Sequence, residues 1–118
     1  CGFIKDKDKI YSNLDVLIDP ALAQGISNTN LEAMSSNTLL IASKVEGNKD
    51  LIIDKVTGLL FSPIKKNNLL NTLIFYKENS KKISQIIDNA KKEISQNYEI
   101  SVITKRILKF MNSRLSKI

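Results

Sequence analysis

Two short apolar runs separated by a polar loop constrain the fold of this chain more than any other feature. The first run covers residues 16–18 and ends at Pro20, and the second covers residues 38–43. Strands that are apolar throughout are typical of parallel sheets with helices on both faces. The loop between the runs would then lie at the carboxyl end of a strand, where such sheets bind ligands. Many α/β proteins bind nothing there, so a ligand site and a plain connecting loop both remain open.

The loop and the start of the next helix carry small polar residues suited to an anion. Gly25 lets backbone N–H groups come close to a bound group, and the helix should begin near Asn28 or Thr29. Thr29 and Glu32 have the spacing of a capping box, in which each side chain accepts from the other residue's backbone N–H. A second interpretation is that Ser27 and Asn28 only cap the helix and that Glu32 is only part of the cap.

Two further strands complete the predicted sheet. Phe3 and Ile4 are predicted to end one strand before a charged turn, and residues 59–61 to form the last strand. The predicted fold class is therefore α/β, with a Rossmann-like parallel sheet of about four short strands flanked by helices.

Helices are predicted in the remaining segments. A short helix over residues 7–12 turns Ile10 and Tyr11 inward, and Asn48 caps another over residues 49–53. Apolar residues at helical spacing predict that the C-terminal third is helical, ending in a helix over residues 100–115. The residues predicted to face inward on this last helix are Val102, Ile103, Ile107, Phe110 and Met111.

Composition excludes several functional classes. The chain is 42% hydrophobic and 25% charged, which is typical of a globular domain. It has no His, and Cys1 is its single Cys, which excludes an internal disulfide and a Cys/His metal site. No run approaches the ~20 apolar residues of a membrane span. We expect one cytoplasmic domain over residues 1–118, and the start without Met suggests a fragment.

Positive charge is concentrated in the second half of the chain. Residues 1–62 hold six Lys and eight Asp or Glu, a net charge of −2, whereas residues 63–118 hold twelve Lys or Arg and four Asp or Glu, a net charge of +8. Such lysines usually mark a solvated helix face, and contact with the anionic inner face of a membrane is the second interpretation. Few aromatic residues and no recognised motif argue against nucleic-acid binding.

Five motifs resemble glycosyltransferase family 4. In order they are Asp15-Val-Leu-Ile-Asp-Pro, Gly25-Ile-Ser-Asn-Thr-Asn-Leu-Glu-Ala-Met, Glu46-Gly-Asn, Leu51-Ile and Thr57-Gly-Leu-Leu-Phe. Members of this family are retaining, metal-independent enzymes of the GT-B fold, whose two Rossmann-like domains face each other across a cleft. The resemblance covers nearly the whole chain and implies the later part of the C-terminal, nucleotide-sugar-binding domain. It also implies sugar transfer from a nucleotide-diphosphate sugar to a glycan or lipid-linked acceptor, without a cofactor or metal.

The resemblance assigns roles to individual residues. Glu32 matches the second Glu of the family's signature and would accept hydrogen bonds from the donor's ribose hydroxyls. Gln24 stands where the first Glu, which contacts the transferred sugar, would be. Phe3 and Ile4 match the loop that borders the nucleobase. The backbone N–H groups that would bind the diphosphate and sugar belong to Gly25, Ile26, Ser27, Asn28 and Thr29. The final helix would brace the N-terminal domain.

Departures from the family pattern keep alternatives open. Gln24 lacks the charge of the family's Glu, so donor binding could survive while turnover falls. The family's basic pair for the leaving diphosphate lies upstream of Cys1, so this piece alone is expected to be inactive, and no catalytic acid or base is assigned. The alternative function is a non-catalytic relic or partner subunit. For Phe3, the alternative to a nucleobase contact is the edge of the core.

Overall fold

The computed structural model describes residues 2–116 and has an α/β architecture. Its strands, β1 Val16–Asp19, β2 Leu39–Ser43 and β3 Leu59–Phe61, form a parallel sheet in the order β1-β2-β3. The helices are α1 Lys7–Tyr11, α2 Asn28–Ser35, α3 Glu46–Leu51, α4 Asn68–Glu78, α5 Ser80–Asn97 and α6 Ile100–Leu115. The predicted fold class, a parallel sheet flanked by helices with a helical C-terminal part, is confirmed.

The strand register brings the carboxyl ends of all three strands to one edge of the sheet. Asp19 at the end of β1 is aligned with Ala42, and Ser43 at the end of β2 is aligned with Phe61 at the end of β3. The loops that leave these ends are therefore neighbours, although they are distant in the sequence. This edge is where a parallel sheet places a ligand.

The core lies on both faces of the central strand β2, all five of whose residues are buried. Leu40 and Ala42 belong to the cluster on one face, with Met34 of α2, whereas Leu39 and Ile41 belong to the cluster on the other face. The prediction that the second apolar run is covered on both sides is therefore confirmed. β1 is an edge strand of the sheet formed by residues 2–116 and is only partly buried, which is why Ile18 is 41% exposed.

The predicted strand at the beginning of the chain is wrong. Residues 2–6 form no strand, and Phe3 is 89% exposed, so the interpretation of Phe3 as the edge of the core is also wrong. A strand exists only where its backbone groups have a neighbour to pair with, and residues 2–6 pair with none of the described strands. The sheet of residues 2–116 consequently has three strands rather than about four. Cys1 lies outside the described residues.

The last helix has the predicted bounds but not the predicted burial. Val102 of α6 is half-buried, whereas Ile103, Ile107, Phe110 and Met111 are between 40% and 60% exposed. Helical periodicity identifies an apolar face but not whether another element covers it. Within residues 2–116, no helix is both long and apolar enough to cross a membrane.

Candidate functional site

The loop between β1 and α2 lies at the carboxyl edge of the sheet and borders a cavity of about 230 Å³. Of the residues predicted for the site, Gln24, Ser27 and Thr29 line this cavity. Asp19 and Asn30, which the sequence reasoning did not select, line it as well. The structure therefore confirms the predicted position of the loop.

Ser27, rather than Thr29, caps helix α2. Its backbone is extended, its Oγ accepts from the N–H of Asn30 at 3.4 Å, and its carbonyl oxygen accepts from the N–H of Leu31 at 3.1 Å. The predicted capping box between Thr29 and Glu32 is wrong because Thr29 is already inside the first turn. A helix provides no acceptor for the N–H groups of its first turn. The N–H groups of Asn28 and Thr29 thus stand at the positive end of the helix dipole, beside the cavity.

A network of four polar side chains lies beneath the loop. Gln24 donates through Nε2 to Oδ2 of Asp19 and, at 3.0 Å, to Oδ1 of Asn48. Asn30 donates through Nδ2 to the same two oxygens, at 2.6 Å and 3.0 Å respectively. Asn48 in turn donates to the carbonyl oxygen of Ser43 at 3.0 Å. The side chain of Gln24 is thus bound to protein groups and fastens the loop to β1 and α3.

Asp19 is the charged member of this network. Burial raises the pKa of Asp19, but the hydrogen bonds from Asn30, from the N–H of Ala21 and from Gln24 outweigh burial and hold the pKa below its usual value. The carboxylate is therefore ionised at neutral pH. Its position immediately after an apolar run and before Pro20 was the one sequence signal that could have identified it.

Helix α3 supports the loop from below through Gly47. The N–H of Gly47 donates to the carbonyl oxygen of Gln24 at 3.1 Å, and a Cβ at Gly47 would lie 2.2 Å from the carbonyl carbon of Gly25. Only glycine permits this approach of helix to loop. The prediction that Asn48 caps a helix over residues 49–53 is wrong, because α3 begins earlier, at Glu46, and Asn48 is buried inside it.

Glu32 lies apart from this network, in the second turn of α2. Lys7 binds its Oε1 at 2.8 Å and the Tyr11 hydroxyl donates to its Oε2 at 3.0 Å, so both carboxylate oxygens are held by α1. The hydrogen bond from Lys7, followed by that from Tyr11, keeps the pKa of Glu32 below its usual value. Burial, together with the hydrogen bond to the Glu32 carboxylate, raises the pKa of Tyr11 to about 12. The Glu32 side chain is 33% exposed and does not line the cavity.

The other predicted site residues do not line this cavity. Gly25, Ile26 and Asn28 are exposed. Phe3 and Ile4 are exposed in the segment that precedes α1, whose Lys7 contacts Glu32. A wider cavity of about 630 Å³ lies at the amino end of β1, where Asp15 and Tyr11 line it. That end is opposite to the one at which parallel sheets bind ligands.

Comparison with known proteins gives one family match and several relatives. The sequence model of the family described as "Glycosyl transferases group 1" matches residues 1–93. A glycogen synthase of Thermodesulfovibrio yellowstonii is 33% identical over 87 residues, which is 71% of this chain and 18% of that protein. A sucrose synthase of Melioribacter roseus is 27% identical over 97 residues, 79% of this chain and 12% of that protein. The chain thus spans less than a fifth of the curated relatives it matches.

Solved structures share this fold. The C-terminal domain of the glycosyl transferase group 1 family protein LpcC from Francisella tularensis has a TM-score of 0.73 and 28% identity, with 85% of this chain and 53% of that chain covered. Anabaena Alr3699/HepE in complex with UDP has a TM-score of 0.85 and 24% identity, with 95% of this chain and 31% of that chain covered. The same Anabaena protein in complex with UDP-glucose has a TM-score of 0.81, with 96% and 31% covered.

Proposed function

The chain belongs to the group 1 glycosyl transferases, and from this premise we propose that it binds the nucleotide-diphosphate-sugar donor of a sugar-transfer reaction. One observation carries the proposal: the cavity at the carboxyl end of β1 is bordered by the N-terminus of α2. A helix N-terminus offers N–H donors and a positive dipole end to a phosphate. The complexes of the Anabaena protein with UDP and UDP-glucose support the same ligand class.

The diphosphate would be bound by backbone groups. In this proposal the loop N–H groups of residues 25–27 and the first-turn N–H groups of Asn28 and Thr29 donate to its oxygens. The same N–H groups would stabilise the negative charge that develops on the leaving diphosphate. The hydrogen bonds of Gln24 to Asp19 and Asn48 hold the loop in place before the ligand binds. No metal is required for this part of the binding.

The nucleoside would lie toward α1 and the segment before it. We propose that Glu32 accepts hydrogen bonds from the two ribose hydroxyls. Its carboxylate has about four acceptor positions, and Lys7 and Tyr11 use one on each oxygen, which leaves one on each oxygen for the diol. Phe3 and Ile4 are exposed on the chain just before Lys7 and would border the base.

The finer assignment follows the resemblance to family 4. We propose that residues 1–118 are part of the C-terminal domain of a cytoplasmic, retaining enzyme, which transfers the sugar to a glycan or lipid-linked acceptor. The residues around the cavity bind and orient a donor, and we assign none of them as an acid or base. A non-catalytic relic or partner subunit would keep donor binding without turnover, so it differs from the enzyme in activity and not in the site described here.

Ligand titration followed by NMR tests the proposal. UDP, ADP and GDP are added separately to the ¹⁵N-labelled chain, with uridine as the control that lacks phosphate. We expect at least one diphosphate to shift the amide signals of residues 25–32 saturably, and uridine to leave the signals of residues 25–29 unchanged. The proposal is wrong if no diphosphate binds, or if a diphosphate binds without shifting the signals of residues 25–29.

A further inference from the structure

We propose that Asp19, rather than residue 24, supplies the carboxylate that accepts a hydrogen bond from the sugar of the donor, and that residue 24 is an amide because its side chain lies against Asp19. The inference rests on the proposed function and adds to it the residue that contacts the sugar. It is carried by one juxtaposition, in which Nε2 of Gln24 donates to Oδ2 of Asp19 at the wall of the cavity.

Asp19 has acceptor capacity left for a ligand. Among the hydrogen bonds within residues 2–116, its Oδ2 accepts from Gln24 and Asn30, and its Oδ1 accepts from the N–H of Ala21, at 3.1 Å. A carboxylate has about four acceptor positions, so one remains on Oδ1. The residue is partly exposed and lines the cavity, where we propose that a ligand hydroxyl reaches this position.

The surroundings of residue 24 require a donor. Its terminal nitrogen points at two acceptors at once, Oδ2 of Asp19 and Oδ1 of Asn48. Asn48 is held in this orientation because its own Nδ2 donates to the carbonyl oxygen of Ser43. A Glu at position 24 would place an acceptor oxygen against both, and two carboxylates at such a distance cannot both be ionised without strong repulsion. Gln24 is therefore the neutral partner that an ionised Asp19 needs.

The amide at position 24 therefore does not mean that the site has lost its carboxylate. The site still has one carboxylate at the end of β1, and the amide orients it through a hydrogen bond instead of adding a second negative charge next to the diphosphate. A sugar hydroxyl that donates to Oδ1 of Asp19 would occupy the remaining hydrogen-bond acceptor position of this carboxylate. The chemical class recognised is a hydroxyl-bearing sugar linked to a nucleoside diphosphate.

Three variants test the inference: Asp19→Asn, Gln24→Glu and the double variant. Matched controls are Asp15→Asn, which changes the same residue type just before the other end of β1, and Gln85→Glu on the exposed surface of α5. The probes are UDP-glucose, ADP-glucose and GDP-mannose, each titrated beside its nucleoside diphosphate. The ratio of the two dissociation constants isolates the part of the affinity that comes from the sugar.

For the best-bound nucleotide sugar, we expect Asp19→Asn to weaken binding of the nucleotide sugar about tenfold relative to binding of its nucleoside diphosphate. The affinity for the nucleoside diphosphate itself should stay within about twofold of the wild-type value. Asp15→Asn should change neither quantity. An unchanged ratio in a folded Asp19→Asn variant overturns the sugar contact. Wild-type protein that binds no diphosphate refutes the proposed function and the sugar contact with it, so the two failures are distinguishable.

Thermal melts test the charge relationship without any ligand. We expect Gln24→Glu to lower the melting temperature at pH 7. The decrease should be smaller at pH 4, where one of the two carboxyl groups is protonated. The double variant, which lacks the charge at position 19, should recover most of the melting temperature lost at pH 7. Gln85→Glu should show no such dependence on pH or on Asp19. A Gln24→Glu variant as stable as the wild type at pH 7 would show that residue 24 does not lie against an ionised Asp19.

Discussion

The Tyr11 hydroxyl donates a hydrogen bond of 3.0 Å to Oε2 of Glu32 and thereby ties α1 to the second turn of α2. The two residues are 21 positions apart in the sequence. Together with Lys7, this bond holds both oxygens of the Glu32 carboxylate, which takes no part in capping α2. Glu32 is thus oriented by another element, and its role can be tested separately from helix capping.

Replacing Tyr11 by Phe should lower the free energy of unfolding by about 1 kcal/mol at pH 7, because a hydrogen bond to a carboxylate is lost. The folded pKa of Tyr11, about 12, lies above its unfolded value. The bond therefore contributes fully below the unfolded pKa of ~10 and loses its contribution as the pH rises toward the folded pKa. The pKa of Glu32 is lowered by folding, so the same contribution is lost as the pH falls below ~4.3.

Urea unfolding followed by circular dichroism at several pH values measures this difference, since the chain has no Trp for fluorescence. Tyr98→Phe is the control, because Tyr98 packs against the core cluster that contains Ile94, whereas the described hydrogen bonds to the Glu32 carboxylate come from Lys7 and Tyr11. A difference between Tyr11→Phe and wild type that stays constant from pH 3 to pH 11 would contradict the prediction.

Replacing Glu32 by Gln should separate ligand binding from stability. The amide has one acceptor oxygen in place of two, so we expect nucleotide-diphosphate affinity to fall about tenfold or more. The cost in stability should stay below about 1 kcal/mol, because the ion pair with Lys7 is at the surface. Calorimetric titration and thermal melts measure the two effects.

Glu46→Gln is the matched control for Glu32→Gln. Glu46 forms a similar ion pair, with Lys49 at 2.8 Å, but on the short helix α3. Loss of its charge should leave nucleotide affinity unchanged. If Glu32→Gln binds the diphosphate as tightly as this control does, Glu32 is not a ribose ligand.

Replacing Gly47 by Ala should destabilise the fold and displace the loop. The added Cβ would lie 2.2 Å from the carbonyl carbon of Gly25, and relief of such overlap typically costs about 1–3 kcal/mol. We also expect weaker diphosphate binding, because the displaced loop carries the N–H donors. Gly25→Ala is the control, since a Cβ there meets nothing within 4 Å. Equal melting temperatures for the two variants would show that α3 does not support the loop.

The chain by itself should bind a donor without transferring its sugar. The proposed roles of the residues around the cavity are to hold the diphosphate, ribose and sugar, and none of these roles removes a proton from an acceptor. An assay with UDP-glucose, ADP-glucose and GDP-mannose and a pool of glycan and lipid acceptors should give no product above a control without protein. Product formation would disprove this prediction.

Helix α6 should contribute to any contact with an anionic membrane. Lys105 and Lys109 are exposed on it next to exposed apolar residues, including Phe110. Near an anionic surface each lysine contributes ~1 kcal/mol at most, so replacing both by Gln should weaken vesicle binding by up to about thirtyfold. Sedimentation with anionic and neutral vesicles at low salt measures this. The control replaces Lys65 and Lys66, which precede α4, by Gln. A specific role of α6 is excluded if both pairs of substitutions weaken vesicle binding equally, or if the wild type binds neutral and anionic vesicles equally well.

Local pattern in the sequence determined the elements of this protein. Apolar runs predicted β1, β2 and β3, and helical spacing predicted α6 with its bounds. The reason is that the spacing of apolar residues along a buried strand or an amphipathic helix can be recognised within a few residues. The same reasoning placed the loop at residues 24–29 at the carboxyl edge of a parallel sheet. The position of the candidate site was therefore predictable before its contacts were known.

Tertiary structure alone decided which partners these residues have. Gln24 meets Asn48 across 24 positions, and Glu32 meets Lys7 across 25. Ser27 caps α2 in place of Thr29, and the apolar face of α6 remains exposed within the described residues. Hydrogen bonds and packing between elements depend on how the chain brings distant segments together, and sequence periodicity has no information on distances of that kind. This is the physical reason that the sequence determined where the candidate site lies, and the fold determined which side chains hold one another there.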